Sequence, residues 1–172
     1  IDGPQGLAGF KNANMRTSER EVGAPGHSGY SLPPKNKPYG GFIAGSVNLF
    51  HHLVTSGSRF RLLGMDGVAL HEANLLEVFP GGAWKILAGS RRLPRKETAK
   101  GREMRQAILE GKGIKFSEPS PLTSDQLDAA LAAFTGFCFY QGLAVTLGTS
   151  PWMDHTRDVI REGYIVEPRL VS

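Results

Sequence analysis

Three times along this sequence a carboxylate either ends a strand-like run or opens an apolar helix, and that recurrence limits the possible folds more than any bulk property. Asp2 stands in Ile1-Asp2-Gly3-Pro4, Glu77 in Leu76-Glu77-Val78-Phe79-Pro80, and Asp125 and Asp128 in Thr123-Ser124-Asp125-Gln126-Leu127-Asp128 ahead of an Ala- and Leu-rich run. Acids placed in this way predict an α/β domain whose carboxylates converge at one edge of a sheet. Converging carboxylates are the donors that hard divalent cations take.

With 172 residues the chain has room for one compact domain and is too short for two ordinary ones, so 1–172 is read as a single unit. Its 22 Gly and 11 Pro predict several long connections. The formal charge of +4 is compatible with a polyanionic partner without requiring one. A lone Cys138 in an apolar helical pattern forms no internal disulfide and reads as a small core residue of a reducing compartment. No basic segment followed by an apolar run opens the chain, and a cytoplasmic location is expected. The stretch Ala129 to Leu147 is about as long as a bilayer span. Gly136, Gln141 and Gly142 interrupt it, and it is read as a buried helix ending near Gln141, with no membrane partner.

Ile1-Asp2 looks like the tail of a strand, since strands usually run about five residues. A short polar helix is expected over 13–21, and a flexible, Gly- and Pro-rich loop or lid over about 23–41. Ile43, Val47, Phe50 and Val54 recur at helical spacing within 42–56, with Gly57 as the stop. Two strands are expected at 59–63 and 74–79, joined through Met65-Asp66-Gly67, and Pro80 starts a short helix. The segment 91–115 is rich in Lys and Arg and predicts an exposed amphipathic helix ending at Gly111. Thr123 and Gln126 form a capping box. A short last strand is expected at 163–167, stopped by Pro168.

Asp125 and Asp128 are three residues apart and share a helix face, so both could hold one metal ion. An acid in a first turn is also favoured by the helix dipole alone, which accounts for Asp125 more easily than for Asp128. Glu77 lies between apolar neighbours, where a charge needs either a cation or an arginine partner. His51 and His52 project about 100° apart on a helix and make no common metal face. The run Gly23-Ala24-Pro25-Gly26-His27-Ser28-Gly29 lacks the Lys-Ser/Thr of a phosphate loop.

In this order and spacing, Asp-x-Pro, Glu-Val-Phe-Pro, Asp-x-x-Asp-Ala-x-x-Ala and Glu-Gly-Tyr-Ile-Val-x-Pro together resemble the RNase H-fold predicted nucleases grouped as domain of unknown function family number 429. The resemblance rests on Asp2, Pro4, Gly6 and Leu7, then Arg16 and Arg20, then Glu77 to Pro80. It continues through Lys100, Gly101, Arg105, Leu109 and Gly111, then Asp125 to Ala133, and closes on Glu162 to Pro168. It implies an RNase H-like mixed sheet flanked by helices, in which Asp2 and Asp128, with Asp125, hold two Mg2+ or Mn2+ ions about 4 Å apart for phosphodiester cleavage. Glu77 would be a further acid of this family. The family's first strand and its acid would precede Ile1, so the chain resembles a C-terminal part with an open sheet edge beside Ile1-Asp2 through which it could self-associate. Where the family often has His before this Asp, Ser124 stands here. The expected partner is DNA or RNA, with Arg16, Arg20, Arg91, Arg92, Lys100 and Arg105 as phosphate contacts. The competing expectation is a non-catalytic binding or structural remnant of such a protein.

Overall fold

A computed structural model describes residues 1–57, 59–117 and 122–169. It is a mixed α/β structure of five helices and a three-stranded mixed sheet: α1 (Thr17–Val22), α2 (Gly40–Thr55), β1 (Glu77–Val78), α3 (Pro80–Ala88), α4 (Ala99–Glu110), α5 (Ser124–Tyr140), β2 (Ala144–Asp154) and β3 (Val159–Pro168). The strand order is β1-β3-β2, with β1 parallel and β2 antiparallel to β3. Strand β3 is buried along its length except at Tyr164, which marks it as the covered centre of the sheet.

The helices form where the apolar spacing predicts them. In α2 the buried Ile43, Val47 and Phe50 are the expected stripe, and Gly57 follows at φ 69°. Helix α3 starts on Pro80, whose missing N–H falls where a helix has no internal partner anyway. At the start of α5, Thr123 Oγ1 accepts from the Gln126 amide at 3.2 Å and Gln126 Oε1 accepts from the Thr123 amide at 2.9 Å, which is the predicted capping box. Its buried face runs Leu127, Leu131, Thr135 and Cys138, and the helix ends at Tyr140. Among the described residues no helix is long and apolar enough to cross a membrane.

Two strand expectations need correction. The segments 59–63 and 74–79 meet only at a single Leu62–Leu75 bridge, and only Glu77–Val78 is strand. Asn74 explains part of this: its Oδ1 accepts from the Arg61 amide at 2.7 Å and its Nδ2 donates to the Arg59 carbonyl at 2.9 Å. A side chain has taken the places of ladder bonds. The sequence also points to a five-residue last strand, whereas the structure has the hairpin β2–β3, with strands of 11 and 10 residues. Gly148 and Pro151 hide β2 from a propensity reading, and the pairing slips between Thr149 and Trp152, beside Pro151. An edge strand with a bulge tolerates a proline that a central strand does not.

The loop expected to be mobile over 23–41 is anchored in its first half. The Ser28 amide donates to both Glu19 carboxylate oxygens at 3.1 and 2.9 Å, and the Ala8 amide donates to the Ser28 and Gly29 carbonyls. The fully buried Arg161 stacks on Tyr30 at 4.1 Å, and its guanidinium is held by Asp154 at 3.0 Å. Residues 31–39 keep only local turns, such as Lys37 N to Pro34 O.

Glycine positions test the packing in both directions. A Cβ at Gly101 in α4 would lie 1.9 Å from the Arg95 carbonyl oxygen, whereas one at the exposed Gly45 in α2 would meet nothing within 4 Å. Alanine gains roughly 1 kcal/mol over glycine in a helix interior. At Gly101 that gain is outweighed by overpacking against backbone. In urea unfolding, Gly45→Ala is expected to stabilise by up to about 1 kcal/mol and Gly101→Ala to destabilise by about 1–3 kcal/mol.

Candidate functional site

The site forms where the chain's first residues meet the start of α5. The Val78 amide donates to the Ile1 carbonyl at 2.9 Å, which places Asp2 in a parallel bridge beside Val78 at the C-terminal end of β1. The backbone then turns at once: Gly3 has φ 125°, and a Cβ there would lie 2.5 Å from Ser46 Oγ. Asp2 thus projects from a strand-like end, as its position before Gly-Pro predicts.

Asp128 approaches from α5. It is buried, and its two oxygens are held separately: Trp84 Nε1 donates to Oδ1 at 2.6 Å and Lys96 Nζ donates to Oδ2 at 2.7 Å. Asp125 is exposed one turn earlier on the same side, and Asp2, Asp125 and Asp128 all line one cleft of about 1250 Å3. Burial raises the pKa of Asp2 above the ordinary carboxylate range, and the nearby charge of Asp128 raises it further. Lys96 is pushed the other way in effect: its hydrogen bond to Asp128 holds its ammonium above the usual lysine value, and the charges of Asp128, Asp125 and Asp2 add to this.

The opposite character comes from arginines. Arg91 and Arg92 are exposed and line the cleft, and neither has an ion-pair partner among the described residues. Arg105 also lines it, but its guanidinium lies over the Trp84 ring at 5.5 Å and donates to the Pro94 and Gly101 carbonyls at 3.0 and 2.9 Å. It holds the loop carrying Lys96 rather than reaching outward. Arg20 and Lys100 are exposed but do not line this cleft.

Two sequence expectations are changed by the geometry. Arg16 is fully buried, so it cannot reach a phosphate in this structure. Its NH1 and NH2 donate to the Glu77 oxygens at 2.8 and 2.6 Å, and its Nε donates to Glu19 at 3.2 Å. Burial alone would lower the Arg16 pKa, but the charge and hydrogen bonds of Glu77 outweigh it and hold the guanidinium above its ordinary value. Glu77 in turn accepts a third bond, from the Gln5 amide at 2.9 Å. Of the two roles open to Glu77 from sequence, the arginine partner is the one its contacts show. Among the described residues no group of three or more His, Cys, Asp and Glu is arranged to hold a metal ion.

The sequence reading missed Trp84 and Lys96 as members of the site. A signal for the first was present, since a buried indole N–H requires an acceptor. Lys96 is one of many cations in its segment, and nothing in its neighbours distinguishes it.

Three measurements follow from these contacts. Glu77→Gln leaves the buried Arg16 with Glu19 as its one carboxylate partner among the described residues and is expected to lower the unfolding free energy by about 3 kcal/mol. At Asp2 the folded pKa lies above the unfolded one, so the carboxyl stabilises the fold while protonated. That contribution is complete below about pH 4 and is lost as pH rises through the folded value. Asp2→Asn is therefore expected to raise the melting temperature near pH 7 and not near pH 3. In Asp128→Asn, the titration of the Asp2 carboxyl followed by NMR should move to lower pH.

Among known proteins, a family model described as "Protein of unknown function (DUF429)" matches residues 58–151. No curated protein and no solved structure matches the chain. The matched stretch is more than half of the chain and carries Trp84, Lys96, Asp125 and Asp128. The chain belongs to the DUF429 family of proteins of unknown function.

Proposed function

We propose that this chain is the nucleic-acid-binding and acid-bearing part of an RNase H-like nuclease, acting on phosphodiester bonds of DNA or RNA at the Asp2–Asp128 cleft. One observation carries the reading: an aspartate at a strand-like end and an aspartate on the last helix line one cleft that also presents two arginines with no ion-pair partner among the described residues. Carboxylates alone would repel a polyphosphate. With Arg91 and Arg92 on the wall, the backbone of a strand has a place to lie while a bond is brought toward the acids.

The Mg2+ or Mn2+ expected from the resemblance does not fit the described residues as they stand. Asp128 is occupied by Trp84 and Lys96, Glu77 by Arg16, and Asp2 and Asp125 are two acids where a two-metal site needs more. An acid from a strand ahead of Ile1, which the resemblance implies, would complete the set. The second reading, binding without cleavage, is favoured by Lys96 itself, an internal cation already bonded to Asp128.

Cleavage assays separate the two. The chain beginning at Ile1 is expected to retain nucleic acid in a salt-dependent way and to cleave nothing with Mg2+ or Mn2+. A form extended upstream by a strand bearing an aspartate is expected to cleave, and Asp128→Asn in that form to lower the rate by about a hundredfold or more. Metal-dependent cleavage by the chain beginning at Ile1 would show that its own acids suffice. Absence of cleavage in the extended form would leave the binding reading.

A further inference from the structure

Two aromatic rings that the fold leaves uncovered line the same cleft as the acids. Tyr39 is 53 % and Phe42 50 % exposed, and both line the cleft that holds Asp2, Asp128, Arg91 and Arg92. They sit three residues apart, Tyr39 at the N-cap and Phe42 in the first turn of α2. Both also border a smaller recess of about 90 Å3, lined by Asp2 and Phe79, that adjoins the cleft.

Tyr39 is held there at a conformational cost. Its backbone is left-handed, with φ 62° and ψ 0°, a region that bulky residues rarely occupy. The next residue explains how it is held: a Cβ at Gly40 would lie 2.2 Å from the Pro34 carbonyl oxygen, so the chain closes tightly on the preceding turn. A strained, solvent-facing aromatic gains nothing from core burial. Such positions cluster at ligand clamps.

The cleft is therefore lined by three kinds of group: exposed aromatic rings, guanidinium groups with no ion-pair partner among the described residues, and aspartates. Nucleobases offer π-faces to aromatic rings only when they are not stacked in a duplex, and the phosphates of the same strand seek the arginines. The acids repel phosphate, which leaves the arginines as the groups that hold the backbone.

We infer that the cleft takes single-stranded nucleic acid, with bases stacked on Tyr39 and Phe42 and phosphates against Arg91 and Arg92. This rests on the nuclease reading for the location of the site and adds the substrate class.

The test is fluorescence anisotropy of the full chain with labelled oligodeoxythymidylate, labelled oligouridylate, and a mixed-sequence duplex of equal length, across a salt series. Either single strand is expected to bind at least about tenfold tighter than the duplex. Phe42→Ala and Tyr39→Gly are each expected to weaken single-strand binding by about five- to a hundredfold. Glycine is at ease at positive φ, so Tyr39→Gly should keep or raise the melting temperature while it loses binding, which a merely structural tyrosine would not do. Removing both Arg91 and Arg92 as alanines should reduce the slope of log affinity against log salt by about one to two. Equal or tighter binding of duplex would overturn the substrate class and leave the nuclease reading standing. Single-strand binding that both aromatic variants leave unchanged would overturn the stacking assignment. If no oligonucleotide bound even at low salt, the inference and the nuclease reading would fall together, and the exposed rings would belong to a protein partner.

Discussion

The buried ion pair between Arg16 and Glu77 is the contact on which the rest of the site geometry depends. Taking both charges out of water costs several kcal/mol per ion, and only close, complete hydrogen bonding offsets that. The bonding here is complete on the Glu77 side: two guanidinium N–H groups and the Gln5 amide fill the carboxylate. Arg16 also bonds Glu19, whose carboxylate receives the amides of Arg16 and Ser28. One network thus joins the first segment, α1, the following loop and β1.

A second buried cation repeats the principle on the far part of the sheet. Arg161 on β3 is tied to Asp154 and to the carbonyls of Ala8 and Tyr30, with the Tyr30 ring against its face. Glu162 beside it accepts the amides of Gly9 and Thr17, the latter at the start of α1. Charged residues in the central strand are therefore joints between the sheet and the irregular N-terminal segment. That segment has little regular pairing of its own: its sheet contacts are the isolated bridges at Asp2 and Leu7.

The cleft works on a different balance. Asp128 is hydrogen-bonded by Trp84 and ion-paired with Lys96, while the pKa of the less well partnered Asp2 is raised first by desolvation and then by the charge of Asp128. Arg105 is a support for this arrangement. Stacked on Trp84 and bonded to the Pro94 carbonyl in the loop before α4 and to the Gly101 carbonyl within α4, it ties the segment carrying Lys96 to the helix.

Local rules were enough for α2, α3 and α5 and for the end of α4 at Gly111, because apolar spacing, Pro80, Thr123 at an N-cap and a glycine or polar stop act within a few residues of where they stand; the start of α4, at Ala99 rather than near Arg91, was not legible in this way. The same reading expected Asp2, Glu77, Asp125 and Asp128 to converge; Asp2, Asp125 and Asp128 line one cleft, while Glu77 is taken by Arg16. It could not see β2, because Gly148 and Pro151 are unfavourable in a strand until a bulged edge accommodates them. Nor could it see that Asn74 would replace a ladder with its side chain. The roles of Arg16 and Arg105, which read as phosphate contacts, were decided only by tertiary structure. A guanidinium looks the same in sequence whether it faces solvent or fills a pocket, and its partners Glu77 and Trp84 lie 61 and 21 residues away along the chain. Which charges are free to meet a ligand is set by which ones the fold has already paired.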